Sequence, residues 1–242
     1  MSSLTVVIPA RNEAGRIGPA VRAVHRILAA SAIAHDIVVV DDASVDDTYR
    51  EVAALRGAYP LQVLRHRAPR GKGGAIASGF SAAEGDFAAF IDADLEFPPQ
   101  VLPLMWRTVQ ESAAPKRCCA VGVRSRDERT FLERITSKAA HVAIRGVLRL
   151  PVADTQAGVK LFPGWFAREV LSGASQNGWM FDVEALLLAR SAGLEIATIP
   201  LRQRRVRARR ATPGEYLRCA VVLARLAASA RAAREVATAR SE

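Results

Sequence analysis

The chain is short of several things at once. It has only 3 cysteines in 242 residues, Cys118, Cys119 and Cys219. Their number and spacing suit neither a disulfide scaffold nor a structural zinc site, and point to a reducing compartment. Aromatic residues make up 6%, little material for the stacking platforms of a single-strand nucleic-acid binder. Lysine stands only at positions 72, 116, 138 and 160, so the positive charge is nearly all arginine. No uninterrupted apolar run reaches the ~18–20 residues that a bilayer crossing takes, so no transmembrane helix is expected. The first residues run straight into a strand-like segment without a basic stretch and a long apolar one, so no secretory leader is expected.

What is present is apolar and basic. Half of the residues are hydrophobic, which excludes a disordered chain, and the length suits one large α/β domain. The formal net charge is +10, from 34 Lys+Arg against 24 Asp+Glu. Such a charge attracts polyanions: nucleic acid, an anionic membrane surface or phosphorylated substrates. Yet the first half carries the acidic clusters Asp41-Asp42, Asp46-Asp47 and Asp92/Asp94/Glu96, whereas the basic run 202–210 lies in the second. Acidic loops beside a basic surface argue against a plain nucleic-acid binder and suit a metal-dependent enzyme with an anionic partner.

Short apolar runs at 4–8, 36–40, 61–64 and 87–91, the first of them β-branched, read as strands, and 17–30, 48–55 and 74–83 read as helices between them. This alternation implies a doubly wound, mostly parallel sheet flanked by helices, whose ligands lie beyond the carboxyl ends of the strands. Strands are expected again near 120–123, 159–162 and 195–199, and helices at 131–150, 181–192 and 216–237. The expected organisation is one catalytic domain over residues 1–212 followed by a basic amphipathic helix in 213–242.

Polar residues follow three of the first four strands: Asn12/Glu13, Asp41/Asp42 and Asp92/Asp94. Two carboxylates one residue apart at a strand end suit a hard cation such as Mg²⁺ or Mn²⁺, which shares its shell with substrate phosphates; Glu96 offers a third oxygen. A solvated turn is the alternative for Asp92-Ala93-Asp94. Asp41 and Asp42 suit a ribose hydroxyl or a base N–H, while Ser44 or Asp46 suits capping of the next helix. Gly71-Lys72-Gly73-Gly74 before a helix suits phosphate or a plain surface turn, and it is not a P-loop.

Taken in order, Pro9-Ala10-Arg11-Asn12-Glu13, Asp41-Asp42-Ala43-Ser44, Gly71-Lys72-Gly73 and Asp92-Ala93-Asp94 resemble family 2 glycosyltransferases with the GT-A fold, which is Rossmann-like. The runs DTQAGVKLF at 154–162 and WMFDVE at 179–184 are similar to the polyprenyl-phosphate branch, the dolichyl-phosphate mannosyl- and glucosyltransferases. The resemblance covers about residues 4–202. Ala43 and Asp47 stand where glycines are common in that family, and Arg11 where Tyr is.

The resemblance implies inverting transfer of a hexose from UDP-glucose or GDP-mannose to a polyprenyl or dolichyl phosphate. It implies a donor site of Pro9, Ala10, Asn12, Glu13, Asp41, Asp42, Lys72, Gly73, Asp92, Ala93, Asp94, Lys160 and Arg202. It implies Mg²⁺ or Mn²⁺ on Asp92, Asp94 and Glu96, and an acceptor-phosphate site of Arg124, Arg134 and Ser137. Asp182 or Glu184 is the candidate base for an alcohol acceptor. Arg134, Lys138, His141, Arg145 and Arg149 share one face of the 131–150 helix, suited to lipid head groups or to solvent. The expected setting is therefore cytoplasmic, peripheral at the inner face of a membrane or on a membrane-anchored subunit, with no nucleic-acid partner. The alternatives are the same fold acting on a soluble sugar or natural product, and a nucleotidyltransferase.

Overall fold

A computed structural model describes residues 2–124, 157–174, 178 and 180–201. Among these, seven strands form one sheet: β1 (Ser3–Ala10), β2 (Ala34–Asp41), β3 (Leu61–Arg65), β4 (Phe87–Ile91), β5 (Cys118–Arg124), β6 (Val159–Pro163) and β7 (Glu195–Leu201). Their order is β3-β2-β1-β4-β6-β5-β7. β6 runs antiparallel to β4 and β5, and the remaining pairs are parallel. The helices are α1 (Ile17–Ala30), α2 (Thr48–Ala53), α3 (Gly71–Ser81), α4 (Val101–Gln110), α5 (Gly164–Glu169) and α6 (Phe181–Ser191).

Side-chain alternation along the strands builds two cores, one on each face. Leu4, Val6 and Ile8 of β1, with Ile37 and Val39 of β2, pack against Ile17, Val21, Val24 and Leu28 of α1 and Leu102, Met105 and Val109 of α4. Val7, Val38, Val40 and Phe90 face the other way, onto Ile76 and Phe80 of α3, Phe166 of α5 and Phe181 of α6. Each such buried Val, Leu, Ile or Phe contributes roughly 1.5–3 kcal/mol. Phe181 is thus a core residue, edge-on to Phe90 with centroids 6.3 Å apart. A Cβ on Gly79 would overlap Val7, so that glycine lets α3 lie close on β1.

The winding expected from the alternation is present, and it sets the site. From β1 the chain steps outward to β2 and β3, then returns to place β4 on the other side of β1. That reversal opens a crevice at the carboxyl ends of β1 and β4. β6, being antiparallel, brings its first residues to the same edge: Val159 pairs with Ile91 and Lys160 with Phe90.

Two helices were not expected from the sequence. Pro103 discourages a helix over 101–110, but it lies in the first turn, where no intrahelical N–H is needed. α5 spans only 6 residues, too few for a periodic signal. α3 begins at Gly71 rather than at 74, because Asp42 holds the backbone N–H groups of Arg70 and Gly71 at its start. The expected helices at 131–150 and 216–237, and the boundary at 212, lie outside the described residues. No helix among the described residues is long and apolar enough to cross a membrane.

Candidate active site

Three loops at the carboxyl edge hold non-glycine residues in the left-handed region: Asn12 (φ 55°), Ala43 (φ 56°) and Leu95 (φ 50°). Such backbone carries strain and persists where its surroundings fix it. The fixing bonds are visible. Asn12 N–H donates to Ser44 Oγ (2.9 Å), and Asn12 Oδ1 accepts Val45 N–H (3.0 Å). Glu13 N–H donates to Thr48 Oγ1 (2.8 Å), and Gly15 N–H donates to the Glu51 carboxylate (2.8 Å). The loop after β1 is therefore fastened to the loop after β2. Ser44 serves that fastening, while Asp46 accepts Thr48 N–H at the head of α2 (3.0 Å).

Asp41 and Asp42 are adjacent yet differently employed. Asp42 is buried and its carboxylate is fully engaged. It accepts Arg70 N–H (2.7 Å), Gly71 N–H (2.8 Å) and His66 Nδ1 (2.7 Å). His66 Nε2 in turn meets Ser78 Oγ (3.0 Å). Asp41 ends β2 fully buried, and its Oδ1 accepts Ser44 N–H (3.2 Å). Its Oδ2 lies 3.1 Å from Arg65 Nε but off the N–H axis, so it accepts no hydrogen bond. The Arg65 guanidinium rests over the Tyr49 ring, 4.6 Å from its centroid. Pro9 and Ala10, opposite Val40 and Asp41, complete this end of the rim.

The β4 end is a field of alternating charge. Lys72, in the first turn of α3 beside Gly73, holds both oxygens of Asp92 through Nζ, at 2.7 and 2.9 Å. Lys160 is fully buried in β6 and donates to Asp182 and to the Ala157 carbonyl (2.9 Å). Both ammonium groups stand over the Phe90 ring, at 5.6 and 5.3 Å from its centroid. Burial raises the Asp92 carboxyl above its ordinary range; Lys72 opposes this, and Asp182 and Asp94 add to it. Burial also works against the Lys72 charge, but Asp92, Asp182 and Asp94 outweigh it and hold that ammonium more firmly protonated than an ordinary lysine. Burial raises Glu13 as well, with Asp94 and Asp46 pushing the same way and Arg16 opposing.

Of the residues expected in the site, Pro9, Ala10, Asn12, Glu13, Asp41, Asp42, Lys72, Gly73, Asp92, Ala93, Asp94, Glu96 and Lys160 lie along this edge, with Asp182 reached through Lys160. Arg124 ends β5, which runs in the same direction as β4. Arg134, Ser137 and Arg202 lie outside the described residues. Asp94 Oδ1 accepts Glu96 N–H (3.0 Å). Among the described residues no group of three or more His, Cys, Asp or Glu side chains is gathered to hold a metal ion. The set nevertheless fits Mg²⁺ or Mn²⁺ in kind: hard carboxylate oxygens from Asp92 and Asp94, the rest of the shell left to phosphate and water.

Arg65, His66 and Gly158 were missed in the sequence. Arg65 ends β3 and His66 follows it, so the strand-end rule that singled out Asp41 and Asp92 applies to them equally. Gly158 gave no signal on its own, because its role is the space it leaves beside Asp92.

A model of glycosyl transferase family 2 matches residues 5–162. The dolichol-phosphate mannosyltransferase of Pyrococcus furiosus is 28% identical over 205 residues, which cover 81% of this chain and 55% of that protein. The dolichyl-phosphate beta-glucosyltransferase of Dictyostelium discoideum is 28% identical over 211 residues, covering 81% and 64%. The chain thus spans between about half and two thirds of the length of these curated relatives. Glucosyl-3-phosphoglycerate synthase from Mycobacterium tuberculosis, solved with uridine diphosphate, superimposes with a TM-score of 0.68 at 21% identity, covering 95% of this chain and 80% of that one. The same enzyme solved with Mn²⁺, UDP-glucose and phosphoglyceric acid gives 0.62 at 20% identity, covering 89% and 74%. At that identity the likeness shows the fold, which is GT-A.

Proposed function

We propose, from the premise that this chain belongs to glycosyl transferase family 2, that it transfers a hexose from a nucleotide diphosphate sugar to a polyprenyl phosphate. One observation carries the reading. The family's motifs, scattered over 80 residues of sequence, meet on one edge of the sheet as Asn12-Glu13, Asp41, Lys72 and Asp92/Asp94. The names of the curated relatives add the acceptor class.

In this reading the donor is UDP-glucose or GDP-mannose. Its nucleoside lies along Pro9, Ala10, Asn12, Glu13 and the Asp41 carboxylate, with Asp42 bracing the 66–71 loop beneath it. Its diphosphate meets Lys72, Gly73, Ala93, Arg202 and the field of Lys160. Asp92 and Asp94, with Glu96 as a further oxygen, would hold Mg²⁺ or Mn²⁺. When bound, that cation stabilises the charge that grows on the departing diphosphate.

The acceptor phosphate is already anionic at neutral pH, so it needs positioning rather than deprotonation. Arg124, Arg134 and Ser137 would receive it, arginine forks matching phosphate oxygens bidentately. An acceptor oxygen bonds to the anomeric carbon as the bond to the diphosphate oxygen breaks on the opposite face, which inverts that centre. An alcohol acceptor would require a carboxylate base. Of the two candidates for that role, Asp182 and Glu184, Asp182 already carries the Lys160 ammonium. The basic residues Arg134, Lys138, His141, Arg145 and Arg149 would supply attraction to an anionic inner membrane surface.

The structural neighbours raise a second reading, a soluble phosphorylated acceptor such as phosphoglyceric acid. One assay separates the two. The protein, Mg²⁺ or Mn²⁺ and each donor are incubated with polyprenyl phosphate or with 3-phosphoglycerate, and nucleoside diphosphate release is followed. Release dependent on the polyprenyl phosphate is expected. Release only with 3-phosphoglycerate supports the second reading, and release of pyrophosphate indicates nucleotidyl transfer.

A further inference from the structure

Asp92 is caged by one cation and one glycine. Both of its oxygens are held by Lys72 Nζ, at 2.7 and 2.9 Å. On the other side Gly158 is so close that a Cβ there would overlap Oδ2 and lie 2.7 Å from Cγ. Asp92 N–H also donates to the Gly158 carbonyl (3.2 Å). The carboxylate therefore has little room to turn away. At bonding distance on one carboxylate a divalent cation and an ammonium repel. Lys72, held on both oxygens, is the group that has to yield to a cation at Asp92.

Lys72 is built to move, and Lys160 is not. Lys72 reaches Asp92 on a flexible four-carbon stem, and its side chain retains 25% exposure. The backbone beneath it is held by the Asp42 bonds to Arg70 and Gly71, so the side chain can swing without disturbing α3. Lys160 is fully buried and committed to Asp182 and the Ala157 carbonyl. It cannot replace Lys72 on Asp92.

We infer that Lys72 is an internal counterion that makes cation binding at Asp92 conditional on the nucleotide diphosphate. The diphosphate offers the ammonium a stronger anionic partner, and its departure frees Asp92 for the cation. This rests on the proposed donor site. It adds an order of events: nucleotide and cation bind together, and the cation alone binds weakly.

The test is titration with Mn²⁺, read from the electron paramagnetic resonance signal of the free ion, with and without UDP or GDP. For the unaltered protein one of the nucleotides is expected to tighten Mn²⁺ about tenfold or more. Lys72→Met keeps the length and the contact with Phe90 but removes the charge. It is expected to bind Mn²⁺ alone about tenfold more tightly and to gain less from nucleotide than the unaltered chain, the gain that remains being the phosphate's own place in the shell. Lys72→Arg keeps the charge and is expected to stay weak without nucleotide. Adding Asp92→Asn to Lys72→Met is expected to abolish the gain. The inference is overturned if folded Lys72→Met binds Mn²⁺ no better than the unaltered chain. It is equally overturned if neither nucleotide moves the unaltered chain's Mn²⁺ affinity, or if the gain survives Asp92→Asn. No sugar or acceptor enters the titration, so failure of transfer with every donor would refute the proposed reaction and leave this result standing.

Discussion

Gly158 lies so close to Asp92 that a Cβ there would overlap its carboxylate, and the Gly158 carbonyl accepts the Asp92 N–H at 3.2 Å. The first residue after β4 is thus fixed by the residue that precedes the antiparallel strand β6. Gly158→Ala is expected to drive the Asp92 carboxylate off Lys72. The overpacking should cost about 1–3 kcal/mol of stability. Affinity for the nucleotide with Mn²⁺ should fall about tenfold or more. Urea unfolding and nucleotide titration check the two parts, and an unchanged affinity would show that the Asp92 position is not needed.

Asp42 and Asp41 are expected to separate stability from binding. Asp42→Ala leaves two backbone N–H groups and His66 without their acceptor, at a cost of about 2–4 kcal/mol. Asp41→Asn keeps an oxygen for Ser44 N–H and should cost under about 2 kcal/mol. Its effect should appear instead in nucleotide affinity, with a loss of about tenfold or more. Equal stability losses with no difference in binding would contradict this division.

Ala43 occupies a conformation, φ 56°, that a Cβ disfavours. Ala43→Gly is expected to stabilise the protein by about 0.5–1 kcal/mol, the relief of strain exceeding the greater freedom of glycine in the unfolded chain. A lower urea midpoint would show that the loop tolerates Ala43 without strain.

Asp36 gives a pH signature far from the site. Burial raises its carboxyl above 3.8, and the hydrogen bond from Thr5 opposes the rise only in part. A carboxyl raised in the folded state costs stability once ionised. The cost is absent below the unfolded value of 3.8 and complete above the raised folded value. Asp36→Asn, whose amide oxygen still accepts from Thr5, is therefore expected to raise Tm at pH 7. The gain should shrink as pH falls through that window. A gain that grows in acid would contradict the sign.

The strands and the rim were legible because two simple rules apply to them. Parallel strands read as short apolar runs, and the polar residues at their ends fall at the ligand edge; Asp41, Asp92 and Asn12 follow from nothing more. What was not legible depends on contacts distant in sequence. The pairing of Lys72 with Asp92 joins residues 20 apart, and that of Lys160 with Asp182 joins residues 22 apart. Neither follows from any local pattern. Asp42 carries the same signal as Asp41, yet its carboxylate braces the 66–71 loop. β6 reads as an ordinary strand, and its reversed direction is a matter of topology alone. Ala43 is the reverse case: the family's usual glycine there has its physical reason in the positive φ.

The most direct test of the central claim is transfer itself. The protein is incubated with UDP-[¹⁴C]glucose or GDP-[¹⁴C]mannose, Mg²⁺ or Mn²⁺ and a polyprenyl phosphate, and label is counted in the organic phase. The account expects label to appear there with one of the two donors, to depend on the polyprenyl phosphate, and to be lost in Asp94→Ala. Organic-phase label absent with both donors, from protein that binds the nucleotide, would contradict it.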